Sequence, residues 1–301
     1  MKYSVIIPHY NSVVSLKKLL STIPERADTE VIIVDDGSDE SVREQLSVIS
    51  LRSDVHILWA KHAGAGKARN IGLDAAIGEK IIFADADDWF CDTLDNLLTA
   101  HAHDTYDIAF LGITSVFGET DRKADRHCWF QKMADDARLS PSPYHRDRLL
   151  FQYTPPWGKI YSAKFLKMHG IYFEEVLISN DILFSVHAGS KARNIAVFDE
   201  MMYVVTVTPG SLTTKKTPEL FLSSFHTTLR ANDFLRSAKK RRYQFSVLYY
   251  VGTAYRYGIR YEWLVVKTIL KKRSNILIGL NHLFRYKDVL KRHGEYLPKT
   301  Q

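Results

Sequence analysis

The sequence predicts an α/β fold, a mostly parallel, doubly wound sheet flanked by helices, followed by a basic helical region. Three observations carry this expectation. Four apolar, β-branched runs alternate with amphipathic stretches inside the first 90 residues, the pattern of linked strand–helix–strand units. Two of these runs, Glu30–Val34 and Glu79–Ala84, stop at acidic clusters, Asp35-Asp36-Gly37-Ser38-Asp39 and Asp85-Ala86-Asp87-Asp88. Ligands of open α/β sheets bind at the carboxyl ends of strands. Charge is also split: from Lys215 onward 19 Lys and Arg face five Asp and Glu, net +14, while residues 1–214 carry −7.

Taken in order, Tyr3–Pro8 reads as the first core strand, too short and too soon broken by proline to be a signal peptide. His9-Tyr10-Asn11-Ser12 is the loop after it, with Ser12 placed to cap a helix carrying Leu16, Leu19, Leu20 and Ile23 on one face. Glu30–Val34 is the second strand, and Ser38 or Asp39 caps the helix that runs to Ile49. Val55–Trp59 is the third strand. The loop from Ala60 to Gly66 feeds a helix bearing Lys67, Arg69 and Asn70, and Glu79–Ala84 is the fourth strand. Asp107–Gly112, continued by Ile113–Phe117, reads as a further strand. Residues 118–142 read as a polar surface excursion, Ala163–His169 as a helix, and Ile195–Phe198 and Met201–Val207 as two strands.

At 301 residues with 46% hydrophobic and 25% charged content, the chain can bury a full core. The expected organisation is one domain over 1–215, divided near 115, and a basic, mostly helical region over 216–301. Cys91 and Cys128 make neither a disulfide framework nor a zinc pattern, which favours a reducing, cytoplasmic compartment. No run of 18 apolar residues exists, so no spanning helix is expected.

Asp85, Asp87 and Asp88 at one strand end repel one another unless a cation or polar donors compensate. Two readings compete: a metal–diphosphate site, since Mg²⁺ is typically held by one or two carboxylates plus substrate phosphates, and a solvated turn capping the next helix. The Asp35-Asp36 loop and the glycine-bearing Gly64–Asn70 loop add what a nucleotide site needs, an acceptor for base or ribose hydrogens and close backbone approach with a basic residue behind it. The spacing fits neither GxGxxG nor the P-loop.

The ordered set Ser4-Val5-Ile6-Ile7-Pro8-His9-Tyr10-Asn11, Val31-Ile32-Ile33-Val34-Asp35-Asp36-Gly37-Ser38, Gly64-x-Gly66-x-Ala68-Arg69-Asn70-x-Gly72 and Asp85-x-Asp87-Asp88 resembles the signature of family 2 glycosyltransferases, whose fold is the GT-A type. The resemblance is close over about the first 115 residues and looser to about 215. It implies that Pro8, Tyr10 and Asn11 line the base and ribose pocket and that Asp36 accepts from a uracil ring. Arg69 would face the nucleotide or donor sugar. Asp85 and Ala86 would lie against ribose and diphosphate, and Asp87, with Asp88, would hold Mn²⁺ or Mg²⁺. His62 stands where many relatives carry Asn; base contact and plain loop residue are its two readings, as ion pairing with an acid is the second reading of Arg69.

Thr154-Pro155-Pro156-Trp157-Gly158-Lys159-Ile160-Tyr161 resembles the family's Trp-x-Lys-Leu-Tyr element. Trp157 then stacks on a sugar and Lys159 approaches a phosphate, or Trp157 packs in the core. Asn180-Asp181-Ile182-Leu183-Phe184 stands where relatives show Glu-Asp-x-x-Phe, which makes Asp181 the candidate general base; a helix-capping role is the other reading. Ser211 and Thr213 fall in a Gly-Ser-Leu-Thr loop that relatives place near the donor phosphates.

From Thr217 the pattern turns helical. Glu219–Lys240 is one amphipathic stretch, and Tyr-rich segments interleaved with Lys and Arg continue through Trp263–Arg273 and Ile276–Phe284. This interleaving suits an anionic membrane surface, with a merely solvated basic face as the other reading. Nucleic acid is disfavoured because no recognition motif accompanies the charge. The resemblance implies an inverting, metal-assisted transferase moving a sugar from a nucleotide-sugar, UDP-linked by preference, to a glycan or lipid-linked acceptor, peripheral on the cytoplasmic face of a membrane. A nucleotide-sugar or glycan binding module without catalysis is the alternative; retention of the strand-end acids and Asp181 argues against it.

Overall fold

The computed structural model describes residues 1–49, 52–118, 120, 122–208, 217–272 and 274–278. The chain divides into two compact units, Met1–Val176 with Phe184–Val207, and Leu177–Leu183 with Thr208–Gln301. The boundary expected at 215 falls within 209–216, outside the described residues.

In the first unit β1 (Tyr3–His9), α1 (Val13–Ser21), β2 (Thr29–Asp36), α2 (Glu40–Ile49), β3 (Val55–Ala60), α3 (Ala65–Ala75) and β4 (Lys80–Phe83) follow the expected alternation. They are followed by β5 (Trp89–Phe90), α4 (Leu94–Ala100), β6 (Ile108–Phe117), α5 (Cys128–Leu139), α6 (Pro143–Gln152), β7 (Lys159–Ser162), α7 (Ala163–His169), α8 (Asp181–Lys191), which begins in the second unit, and β8 (Ile195–Val207). The sheet runs β3-β2-β1-β4-β7-β6-β8-β5. β1 pairs in parallel with β2 and β4, as β2 does with β3 and β6 with β8. β7 is antiparallel to β4 and β6, and β5 to β8. The doubly wound reading therefore describes the first four strands, and β7 turns the second half into a mixed sheet.

Parallel pairing in register is what makes a site. Ile6 lies opposite Phe83 and His9 opposite Asp35, so the loops leaving β1, β2 and β4 emerge at one edge. β2 is buried along its whole length, as its unbroken apolar run requires. α3 packs close on β1 because Gly72 carries no side chain; a Cβ there would meet Ile6 Cγ2 at 2.5 Å. Under the end of β4, Phe83 meets Phe173 and Phe184 edge-on at 5.0 and 5.6 Å between ring centroids, and those two stack at 3.9 Å. Offset and edge-on rings are the favoured aromatic arrangements, and this cluster anchors the strand just before its acidic turn.

Three expectations are corrected. Ser12 occupies the cap position of α1 but its side chain makes no cap bond; its N–H instead donates to His9 Nε2 at 3.2 Å. Residues 118–142 are not all surface: α5 lies within them, burying Met133 and Ala134. The runs at 195–198 and 201–207 are one strand, with register shifts near Gly112 where it bends along β6.

In the second unit α9 (Pro218–Ser237) starts on Thr217, whose side chain accepts from the Leu220 N–H, with Pro218 in the first turn. α10 (Leu248–Thr253) and α11 (Ile259–Lys271) follow, with short 3₁₀ turns at Arg241–Tyr243 and Ala254–Tyr257. Phe221, Phe225, Leu229, Val247, Tyr250, Ala254, Val265 and Ile269 form their shared core. Among the described residues no helix is long and apolar enough to cross a membrane.

Candidate functional site

The loop after β1 is built by polar stitching. Asn11, at φ +49°, takes the left-handed conformation that Asn tolerates. Its N–H donates to Ser38 Oγ at 2.9 Å, its side-chain amide donates to Asp39 Oδ2 at 3.2 Å, and its Oδ1 accepts from the Asp39 N–H at 2.9 Å. Asp35 is fully buried and holds this arrangement from below: its carboxylate accepts from the Ser38 hydroxyl and N–H and faces His9 Nδ1 at 3.0 Å. Burial acts to raise the Asp35 carboxyl, yet Ser38 and His9 outweigh it and leave it below its ordinary value. Burial lowers His9, and the neutral ring donates from Nδ1 to Asp35 while Nε2 accepts from Ser12. Asp35 is thus spent on the scaffold.

Asp36 does a related task with open capacity. Its two oxygens accept from the N–H groups of Ala63 and Gly64, both at 2.8 Å, and His62 Nδ1 lies 2.9 Å from its carbonyl oxygen and 3.0 Å from its Oδ2. A carboxylate has about four acceptor positions, so these contacts order the 62–64 loop and leave room for one further donor. Gly37, at φ +77°, is required here, because a Cβ would meet the His62 backbone N at 2.8 Å. The rings of Tyr10 and His62 face each other at 4.6 Å and 34°, both open to solvent. Pro8 lies opposite Val34 in the β1–β2 register, just before the loop that carries Tyr10.

At the end of β4 the chain turns tightly, the Asp88 N–H donating to the Asp85 carbonyl at 3.0 Å. Ala86 is buried within the turn. Arg69, from α3, donates Nη2 to Asp85 Oδ1 and sets its guanidinium 5.3 Å from the Phe173 ring centre. The Asp85 N–H donates to the Tyr203 hydroxyl at 2.8 Å, and Asp88 Oδ1 accepts from the Thr206 N–H at 2.6 Å. Asp88 is buried; desolvation first, then the charges of Asp87 and Asp85, push its carboxyl well above the ordinary range. Asp87 is exposed at the tip, and desolvation with the Asp85 charge raises its carboxyl too. The turn is therefore undercompensated in negative charge. Protein cations answer only in part: Arg126 and Arg69 pull Asp87 down, and Arg126 with the Thr206 N–H pulls Asp88 down.

Among the described residues no three His, Cys, Asp or Glu side chains are arranged to hold a metal unaided. With Asp85 paired to Arg69, two carboxylates remain, Asp87 and the Asp88 oxygen not used by Thr206. Hard oxygen donors of that number suit a divalent ion completed by substrate phosphates.

Arg126 escaped the sequence reading. It lies in the segment read as a surface excursion, and its Nη1 donates to the Thr206 carbonyl at 3.3 Å, so Arg126 and Asp88 are anchored to the same residue of β8. No local motif marks it. Of the two readings of Trp157 the structure shows core packing, against Tyr203 (6.2 Å, 14°) and Phe130 (5.6 Å, edge-on); Lys159 is corrected, being buried with its ammonium donating to the Tyr153 carbonyl at 2.6 Å. Packing, rather than contact with sugar or phosphate, is their role in this structure. Asp181 is the first residue of α8, in the second unit, where the Ile182 N–H donates to the Ser179 carbonyl at 3.3 Å. Ser211 and Thr213 lie outside the described residues.

The model of glycosyl transferase family 2 matches residues 4–170. Poly(ribitol-phosphate) beta-N-acetylglucosaminyltransferase TarS of Staphylococcus aureus is 29% identical over 211 residues, covering 67% of this chain and 35% of that protein. The uncharacterized glycosyltransferase EpsJ of Bacillus subtilis is 24% identical over 220 residues, covering 70% of this chain and 62% of that one. The chain thus spans about a third of TarS. Residues 1–349 of S. aureus TarS in complex with UDP-GlcNAc share the fold at a TM-score of 0.66 and 21% identity, over 90% of this chain and 81% of that structure.

Proposed function

The chain belongs to glycosyl transferase family 2 and has its GT-A fold, and from this premise we propose that it moves a sugar from a UDP-sugar to a hydroxyl of a glycan or lipid-linked acceptor with inversion. The undercompensated acidic turn Asp85–Asp88 at the carboxyl end of β4 carries the reading. Two raised carboxyls beside Arg126 are poised to accept positive charge, and a nucleotide diphosphate arriving with a divalent cation supplies it.

In this reading the uracil ring lies against Tyr10 and His62, and its imide N–H donates to a remaining acceptor position of Asp36. Pro8 and Asn11 border the base and ribose. Asp85, held by Arg69 and presented by Tyr203, accepts from ribose hydroxyls, with Ala86 alongside. Asp87 and Asp88 would hold Mn²⁺ or Mg²⁺, which when bound offsets the charge of the departing diphosphate. Arg126 adds a second positive charge on that side. Asp181 takes the proton of the acceptor hydroxyl as that oxygen bonds to C1 and the C1–O bond to the diphosphate breaks, releasing UDP. It is the first residue of α8.

The relative bound to UDP-GlcNAc makes that donor the first to try. Calorimetry with UDP-GlcNAc and Mn²⁺ is expected to show cation-dependent binding, retained in Asp181→Asn while transfer falls about 100-fold or more. Normal transfer by Asp181→Asn removes it as the base, and failure to bind any UDP-sugar overturns the donor class.

A further inference from the structure

Helix α11 carries two apolar faces, and among the described residues one of them is packed in a core. Val265 and Ile269 are buried in the core shared with Phe221, Phe225 and Tyr250. Ile259, Trp263, Val266 and Leu270 recur at spacings of four, three and four, one stripe on a 3.6-residue helix. Ile259, Trp263 and Leu270 are 69%, 70% and 70% exposed. Beside this stripe run Arg260, Lys267 and Lys271, all exposed and again at helical spacing, and Glu262 is the only acid on the helix. Tyr255, just before the helix, adds an exposed ring.

We propose that this face of α11 docks on an anionic phospholipid surface, the helix lying in the plane of the interface. Thirteen residues reach about 20 Å, short of a hydrocarbon core of about 30 Å, so the helix lies on the bilayer rather than spanning it. Exposed Trp, Ile and Leu enter the boundary between headgroups and acyl chains, while the flanking Arg and Lys meet lipid phosphates. The basic stripe selects this occupant over a second copy of the chain, because a symmetric contact through the same face brings the cations of both copies together. The proposal stands apart from the donor reading, since no residue of the acidic turn takes part.

The test is sedimentation of the full chain with phosphatidylcholine vesicles and with vesicles that also contain phosphatidylglycerol. Binding is expected only to the mixed vesicles and is weakened by salt. Trp263→Glu, and separately the combined Arg260→Gln, Lys267→Gln and Lys271→Gln, are each expected to reduce it about tenfold or more. These side chains are exposed, so circular dichroism and cation-dependent UDP release are expected to match the unchanged chain. No sedimentation with mixed vesicles, equal sedimentation with both kinds, or unchanged binding by Trp263→Glu overturns the proposal. A dimer in light scattering that Trp263→Glu dissociates, without any loss of vesicle binding, assigns the face to a second copy and overturns it as well.

Discussion

Replacing Asp88 with Asn separates the cost of the acidic turn from its use. The change is nearly isosteric, and an Asn Oδ1 still accepts from the Thr206 N–H that now binds Asp88 at 2.6 Å. What disappears is a buried carboxyl that desolvation, Asp87 and Asp85 hold well above the ordinary carboxylate range. A carboxyl raised in the folded state binds more protons there than in the unfolded chain, so it withdraws stability as pH climbs from its unfolded value through its folded one. Residual repulsion shared with Asp87 and relief by Arg126 hold the gain expected from Asp88→Asn to about 1–2 kcal/mol. For a unit of this size that corresponds to a rise in Tm of about 2–8 °C. The assay is thermal unfolding between pH 4 and 8, in EDTA and then with Mn²⁺ and UDP. The Tm of Asp88→Asn is expected to exceed that of the unchanged chain at neutral pH, with the gap closing toward the unfolded carboxylate range. Mn²⁺ with UDP narrows the neutral-pH gap by stabilising only the chain that can bind it, and sugar transfer by Asp88→Asn falls about 100-fold or more. A lower or equal Tm in EDTA refutes the claim that the turn holds uncompensated charge.

Arg126→Gln takes away a charge that now lowers both Asp87 and Asp88, so cation-dependent UDP binding needs a higher pH, and turnover drops about tenfold or more; an unchanged pH profile separates Arg126 from the turn. Tyr10→Ala opens one side of the Tyr10–His62 pair and is expected to weaken UDP affinity about tenfold while leaving Tm within about 1 °C, as base–aromatic stacking and an exposed ring imply. Calorimetry showing equal affinity removes the base from that position.

The first four strands and the three loops at their ends are legible because each signal is local. An unbroken apolar run such as β2, an acidic turn directly after it and a glycine before a helix need no distant partner to be recognised. Boundaries moved by a residue or two, since the register with neighbouring strands carries β2 on to Asp36. What the sequence concealed depends on tertiary neighbours. Trp157 carries the composition of a sugar platform, and only the approach of Tyr203 and Phe130 makes it core. Asp35 and Asp36 are adjacent and identical in type, yet Ser38 and His9 saturate the first while the second holds the 62–64 loop and keeps acceptor capacity. Arg126 lies 38 residues from Asp88 in the chain, and the two share Thr206 of β8 as a hydrogen-bond partner. The antiparallel β7, four residues long and beginning at a buried lysine, offers too little periodicity to be read beforehand.

The account stands most directly on cation-dependent release of the nucleotide from a panel of UDP-, GDP- and dTDP-sugars, measured for the unchanged chain and for Asp87→Ala. It predicts UDP release from at least one UDP-sugar that requires Mn²⁺ or Mg²⁺ and is lost in Asp87→Ala. Release that proceeds equally in EDTA, or that survives Asp87→Ala undiminished, contradicts it.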